Sequence, residues 1–317
     1  MKILANDGIA QSGIDALETA GFEVITTKVA QEQLINYINE NNIVAVLVRS
    51  ATTVRKEVID ACPDLKLIGR GGVGMDNIDV AYAREKGLHV INTPAASSAS
   101  VAELVFAHLF NGVRFLYDAN RNMPLDGDQK FKELKKAYAK GVELRGKTLG
   151  ILGFGRIGQA TARIALGCGM KVIASDPFME EATIDLPFFD GQSVSFTIKT
   201  TTKEDLLQQS DFITLHVPAQ KEYVIGKSEL NMMKDGASLV NAARGGVIDE
   251  VALLDALDAG KLSFAALDVF ENEPKPAIKV LMHPKVSLTP HIGAATEEAQ
   301  DRIGTELAEQ ITQLLKK

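Results

Sequence analysis

Cysteine is scarce in this sequence: Cys62 and Cys168 are the two among 317 residues, far apart and without a CxxC pair. That argues against a disulfide framework and against a thiolate zinc site, and no metal is expected. Such usage fits a reducing, intracellular setting, so a cytoplasmic location is the expectation. Long apolar runs are missing as well. Ile43–Val48 is typical of those present, well short of the roughly 18 residues a membrane span requires, and no membrane partner is expected. The start, Met1-Lys2-Ile3-Leu4-Ala5-Asn6-Asp7, turns polar too early for a secretory signal. Nor is there an excess of positive charge. With 34 basic and 41 acidic residues the net charge is −7, which gives no broad attraction to nucleic acid. An anionic ligand must therefore be held by local cations or backbone amides.

What is present is an ordinary globular balance, 46% apolar and 24% charged. At roughly 150 residues per domain the length suggests two domains. Short apolar runs alternate with helical patterns, which predicts an α/β fold with mainly parallel sheets. In the first part, strands are expected at Lys2–Ala5, Glu23–Thr26, Ile43–Val48, Leu65–Gly69 and His89–Ile91. Ser100-Val101-Ala102-Glu103 fits a capping box, followed by a helical stripe through Leu104, Val105, His108, Leu109 and Val113. The lysine-rich segment Asn120–Lys147 reads as a surface excursion or a subunit contact. A second series starts at Lys147–Leu152 and continues with strands at Lys171–Ser175, Asp211–His216, Ala237–Asn241, Phe264–Asp268 and Val286–Leu288. The last helix is expected from near Thr296. Between Ile184 and Lys199, Asp190-Gly191 signals a hairpin turn. There Val194, Phe196 and Ile198 alternate as in a half-buried strand, with no chemistry evident.

Gly153-Phe154-Gly155-Arg156-Ile157-Gly158 is a GxGxxG sequence between an apolar strand and a helix with Ile157, Ala160, Ile164 and Cys168 on one side. In that setting Gly153 permits the tight turn, Gly155 leaves room for a pyrophosphate, and Gly158 lets helix and strand pack closely. The helix N-terminus offers amides and a positive dipole end to phosphates. Asp176 ends the next strand, where a carboxylate accepts hydrogen bonds from adenosine ribose hydroxyls. It would repel the extra phosphate of NADP, so NAD is the expected cofactor.

An enzyme oxidising a hydroxyl group with a nicotinamide needs a proton acceptor, and an acidic substrate needs a cation, preferably an arginine fork. Five histidines are available. His89 and His108 read as packed residues, and His283 as a surface turn. His216 ends a strand, where ligands gather in such sheets, without being the expected base. His291, between Pro290 and Gly293-Ala294-Ala295, is the best candidate, although its residues alone leave a structural role open. Arg244, in Asn241-Ala242-Ala243-Arg244-Gly245-Gly246, is either a carboxylate clamp or a turn arginine. Asp268 and Glu273 are either carboxylates that orient His291 or members of an exposed acidic loop.

Taken together, Gly153-x-Gly155-x-x-Gly158 with Asp176, Asn241-x-x-Arg244-Gly245, Leu267-Asp268-Val269-Phe270-x-x-Glu273-Pro274 and Pro290-His291-Ile292-Gly293 resemble the D-isomer-specific 2-hydroxyacid dehydrogenase family over nearly the whole chain. The resemblance implies two doubly wound parallel-sheet domains with a cleft between them. Residues 1–96 and 291–317 would form a discontinuous, flavodoxin-like substrate domain, and 97–290 a Rossmann NAD-binding domain. It implies a homodimer built largely from NAD domains. In the roles it implies, Arg244 binds the substrate carboxylate, His291 is the acid/base, Glu273 is its partner and Asp268 lies near the nicotinamide. The cofactor set would be Gly153, Gly155, Arg156, Ile157, Gly158, Asp176, His216, Val217, Pro218, Ala242, Ala243, Arg244, Asp268, His291, Gly293 and Ala294.

Within the family, Val48–Thr52, Gly69–Asn77 and Asn92–Pro94 resemble members acting on a phosphorylated 2-hydroxy acid. Arg49 and Arg70 follow strands and would meet the phosphate, with Ser50, Gly72 and Val73 beside them. Lys136 is either a further charge supplied by a neighbouring subunit or an ordinary solvated lysine. Val73 and Val217 stand where relatives often carry a threonine, and the hairpin is longer than the family leads one to expect. The chain ends soon after the last helix, so the regulatory domain of longer relatives is not expected. Two rival readings remain: a reductase of a small 2-keto acid (glyoxylate, hydroxypyruvate or pyruvate), and an NAD-sensing, corepressor-like scaffold.

Overall fold

Strand Ile43–Val48 is apolar at every position because it is covered on both faces, as parallel strands are. Val46 and Val48 join one core, with the helices Leu34–Glu40, Lys56–Ala61 and Val80–Glu85. Ala45 and Leu47 join another, with the helices Gln11–Thr19 and Glu297–Leu315. The period-2 alternation of a strand separates the two sets. A computed structural model describes residues 1–316.

The chain divides into two compact units, Met1–Ser100 with the segment from Ala294 on, and Val101–Gly293. The first contains β1 (Lys2–Ala5), β2 (Glu23–Ile25), β3 (Ile43–Val48), β4 (Leu67–Arg70) and β5 (His89–Asn92). They form one parallel sheet in the order β2-β1-β3-β4-β5, the flavodoxin-like doubly wound order. Thr296 caps the last helix by accepting from the Ala299 amide at 3.2 Å.

The second unit contains β6 (Thr148–Leu152), β7 (Lys171–Ser175), β8 (Glu181–Pro187), β9 (Ser193–Lys199), β10 (Phe212–Leu215), β11 (Ala237–Asn241), β12 (Leu262–Leu267) and β13 (Val286–Leu288). Six of these make a sheet in the order β13-β12-β11-β10-β6-β7, parallel throughout. From β6 the chain turns outward to β7 and later returns to β10 on the other side of β6. The loops after β6 and β10 therefore diverge at this point, the topological switch at which open α/β sheets bind ligands.

Two sequence expectations need correction, the cap at Ser100 and the cover over the hairpin. The helix expected to be capped by Ser100 runs Ser98–Arg114. Several small polar residues precede the apolar stripe, and the helix starts at an earlier one, leaving Ser100 buried inside its first turn. The helix Arg156–Gly167 buries Gly158, Thr161, Ala162 and Ala165, with Ile157, Ile164 and Cys168 partly buried against the same core. Small residues let the helix approach the sheet, and the bulkier ones flank the contact.

The hairpin begins at Glu181, and Ala182, Ile184, Leu186, Val194, Phe196 and Ile198 share one face by register. Only its root is covered. Ile184 and Ile198 are buried, while Val194 and Phe196 are 48% and 40% exposed. The lysine-rich segment takes in the end of the helix Leu116–Asp126 and the helix Phe131–Ala137, with Leu125 and Phe131 exposed, as is Leu116 just before it. Among the described residues no single helix is long and apolar enough to cross a membrane.

Candidate active site

The glycine loop follows β6 directly. Gly153 has φ +89°, and a Cβ there would lie 2.4 Å from the His216 carbonyl oxygen, so both backbone conformation and close approach demand glycine. A Cβ on Gly158 would lie 2.3 Å from the Gly153 carbonyl oxygen. Gly155 is different. It precedes the helix Arg156–Gly167, caps it with no side chain, and faces open space. The first-turn amides are thus left to an anion, beside the exposed Arg156 and half-buried Ile157. Asp176, just past β7, accepts from the Phe154 amide at 2.7 Å and the Phe178 amide at 2.8 Å. Each oxygen keeps capacity for a further donor. These residues fit a dinucleotide: an uncapped helix end for its pyrophosphate and a fixed carboxylate for its ribose.

His216 has its backbone against Gly153 and its ring turned inward. Its Nε2 lies 3.2 Å from Thr161 Oγ1 and 3.1 Å from Thr214 Oγ1, while Nδ1 is buried without a partner among the described residues. Burial pushes its pKa down to about 3. The ring is a neutral packing element, and only the backbone, with half-buried Val217 and exposed Pro218, borders the loop. Since the unfolded histidine titrates near 6.5, the unfolded chain takes up a proton that the folded chain refuses as pH falls below that value. Stability is full above it and declines toward pH 3. Burial lowers the pKa of His108 too, so its contribution has the same sign. Urea unfolding should therefore show a lower midpoint near about pH 5 than at neutrality, with a shallower pH dependence in His216→Gln. An equal slope in the variant would remove His216 as the cause.

Arg244 lies in the turn after β11. Asn241 shapes that turn: its Oδ1 accepts from the Ala243 amide at 3.0 Å and its Nδ2 donates to the Arg244 carbonyl at 2.9 Å. Nη1 of Arg244 donates to the Ala243 carbonyl at 2.6 Å. Packing accounts for both glycines that follow, Gly245 and Gly246. A Cβ on Gly245 would overlap the Phe270 carbonyl oxygen at 1.8 Å, and Gly246 has φ +77°. Ala242 and Ala243 are buried in the same turn.

The segment after β12 turns toward His291. Asp268 is buried, and its carboxylate accepts from Thr289 Oγ1 at 2.6 Å and from the amides of Ile292 at 2.8 Å and Gly293 at 2.9 Å. Its carbonyl accepts from the His291 amide at 2.8 Å. Asp268 thus holds the whole Pro290–Gly293 turn. Of the two candidate carboxylates, Glu273 meets the imidazole: its Oε2 lies 2.9 Å from His291 Nδ1, and its Oε1 accepts from the Phe270 amide at 3.0 Å. Nδ1–H pointing at Glu273 leaves Nε2 as the outward acceptor, a base oriented by a carboxylate. His291 sits at φ +56°, a left-handed backbone that is costly without glycine and that functional sites often retain.

The second unit therefore assembles the glycine loop, Asp176, Arg244, Glu273, His291 and Gly293. Ala294, Arg49, Ser50, Arg70, Gly72 and Val73 belong to the first unit. There the Arg49 amide donates to Asp7 Oδ2 at 2.7 Å, which fixes the loop after β3 next to exposed Ser50. Arg70 folds over its own loop, with Nη1 donating to the Gly71 carbonyl at 2.7 Å across Gly72. The Val73 carbonyl accepts from Asn92 Nδ2 at 2.7 Å. Lys136 is exposed on the helix Phe131–Ala137. Sequence reasoning treated His108 as packing and missed that both its nitrogens are hydrogen-bonded, to Ser287 and Thr289. Nothing local to His108 signals partners about 180 residues away.

Residues 106–293 match the family model described as D-isomer specific 2-hydroxyacid dehydrogenase, NAD binding domain. The chain is 41% identical over 318 residues to a D-3-phosphoglycerate dehydrogenase of Methanocaldococcus jannaschii, covering all of this chain and 58% of that protein. It thus spans somewhat over half the length of that relative. It is 42% identical over 294 residues to a hydroxypyruvate reductase of Thermotoga maritima, covering 91% of this chain and 90% of the relative. A glyoxylate reductase structure from Paecilomyes thermophila superimposes with a TM-score of 0.80 at 29% identity, covering 98% of this chain and 94% of that one. The chain belongs to the D-isomer specific 2-hydroxyacid dehydrogenase family, and residues 106–293 are its NAD-binding domain.

Proposed function

We propose that this protein oxidises 3-phospho-D-glycerate to 3-phosphohydroxypyruvate with NAD, the first step of L-serine biosynthesis. The observation that carries the chemistry is the His291–Glu273 pair at 2.9 Å on a turn held by Asp268. The substrate rests on similarity to phosphoglycerate dehydrogenases over the whole chain. The glycine loop and Asp176 hold the cofactor, which supplies hydride acceptance at the substrate carbon. Arg244 holds the carboxylate with its fork. His291 Nε2 takes the hydroxyl proton, and Glu273 stabilises the imidazolium that forms. Arg49 and Arg70 are assigned the phosphate, with Ser50, Gly72, Val73 and Lys136 as further contacts. In this reading residues 1–96 and 291–317 serve as the substrate-binding domain. A second copy of the chain covers the exposed Leu116, Leu125 and Phe131, giving a cytoplasmic homodimer.

The similarity to the hydroxypyruvate reductase, at nearly full length on both sides, favours a second reading: reduction of hydroxypyruvate, glyoxylate or pyruvate by the same residues. NADH oxidation with 3-phosphohydroxypyruvate and the three small acids, repeated with Arg49→Ala, separates the two. The proposal expects a preference for the phosphorylated acid that falls at least about tenfold in kcat/KM in the variant, the loss of one charged contact. Equal rates on the small acids, insensitive to Arg49, would favour the second reading. Absence of turnover on every acid, with NADH still bound, would point to a scaffold.

Cofactor choice is tested separately. Asp176→Ala removes both the ribose acceptor and the repulsion of a 2′-phosphate. The ratio of kcat/KM for NAD over NADP should fall at least about tenfold. An unchanged ratio would take Asp176 out of cofactor selection.

A further inference from the structure

A hydrogen-bond chain through buried His108 runs from the exposed start of the helix Leu116–Asp126 to the His291 turn, and donor accounting fixes every link. The Tyr117 amide donates to Asn111 Oδ1 at 2.8 Å, which makes Asn111 Nδ2 the donor to Ser287 Oγ at 2.7 Å. At the other end the Asp268 carboxylate accepts from Thr289 Oγ1 at 2.6 Å. An ionised carboxylate donates nothing, and Thr289 has one hydroxyl proton. Thr289 must therefore accept from His108 Nε2, 3.0 Å away, so that nitrogen carries the ring proton. His108 Nδ1, 2.8 Å from Ser287 Oγ, is then the acceptor for the serine proton. Ser287, His108 and Thr289 each accept once and donate once along the chain, which ends on the acceptor-only Asp268. Burial, which lowers the pKa of His108, is consistent with a ring held neutral.

We propose that His108 is a positioning residue for the His291 turn, acting as the Nε2–H tautomer through Thr289 and Asp268. The inference rests on the dehydrogenase reading for its consequence in catalysis, though not for the tautomer itself. His108→Leu leaves Thr289 Oγ1 without its buried donor, so the hydroxyl no longer has one preferred orientation and Asp268 loses its fixed partner. The carboxylate that holds the Ile292 and Gly293 amides then relaxes, and the His291 ring with it. A small displacement of a reacting group is enough to slow a step that depends on alignment.

The first experiment is nitrogen NMR of histidine-labelled full-length protein at neutral pH. It should show His108 neutral with its proton on Nε2, and the His291 ring resonances should move in His108→Leu and in Thr289→Val but not in Thr289→Ser. Kinetics on the best substrate of the panel should show kcat about tenfold lower in His108→Leu and in Thr289→Val. KM for NAD should stay within about twofold. The double variant should be no worse than either single one, because both break the same chain. Thr289→Ser, which keeps the hydroxyl, should restore most of kcat. The threonine pair is nearly isosteric and decides the matter if His108→Leu does not fold. A proton on Nδ1, an unmoved His291 ring, or unchanged kcat in a folded variant would overturn the proposal. Absence of turnover in the unsubstituted protein would instead defeat the dehydrogenase reading, and the NMR measurements would still decide the positioning role.

Discussion

His291→Ala is expected to lower kcat about 10³-fold, the usual scale for losing a positioned acid/base, while NADH binds within about twofold of the unsubstituted protein. The two effects separate because the dinucleotide cradle rests on Gly155, the first-turn amides and Asp176, none of which leans on the imidazole. The turn itself survives the substitution. Its Ile292 and Gly293 amides are held by Asp268, and the bond from the residue 291 amide to the Asp268 carbonyl needs no side chain. His291→Gly is a useful companion. It also deletes the imidazole, yet it relieves the left-handed φ of +56°, a strain of about 1 kcal/mol or more. It should therefore be as inactive as the alanine variant and at least as stable in urea. NADH fluorescence titration, steady-state turnover and urea melts check all three quantities. Retained turnover in both variants would assign proton transfer elsewhere.

Arg244→Lys is the second large effect. Lysine keeps the charge but loses the planar fork that matches a carboxylate. The expected result is a loss of about 10²- to 10³-fold in kcat/KM, as for truncating one partner of a buried charged hydrogen bond. The fold should persist, because the turn is organised by Asn241 and by the close approach of Gly245 to Phe270 rather than by the guanidinium. Steady-state kinetics on the preferred acid, with thermal melts as control, test this. A lysine variant with unimpaired kcat/KM would remove the fork from substrate binding. Because Arg244 and His291 are given distinct parts of one substrate, the loss should fall mainly on KM in the first and on kcat in the second.

Local patterns in the chain carried much of this molecule. Apolar runs bounded by turn residues marked the strands of both parallel sheets, since strands covered on both faces must be apolar throughout. Gly153, Gly155, Gly158 and Asp176 were legible because strand, turn and helix fix their roles within one short βαβ unit. Arg244, Glu273 and His291 could be singled out by residue type, by position after a strand and by family resemblance. Their arrangement could not.

The residues alone left open whether Asp268 or Glu273, five positions apart, faces His291, and only family resemblance favoured Glu273. Tertiary packing supplies the physical reason. Asp268 is drawn into three donors beneath the turn, and Glu273 is left to reach Nδ1. Likewise the two glycines after Arg244 carry no local sign of their purpose, yet they serve the approach of another loop and a positive φ. The hairpin's alternation predicted a covered face, but only the root of that face has anything to lie on.

What the sequence by itself determined is the class of fold, the strand–glycine-loop–helix unit and the residue types that the proposed chemistry would use, because each depends on near neighbours in the chain. What only the tertiary structure decided is why Glu273 rather than Asp268 meets the His291 ring, why His216 is neutral, and how His108 reaches the same turn across about 180 residues. Those outcomes depend on burial and on which donors are already spoken for, and both are properties of the packed interior.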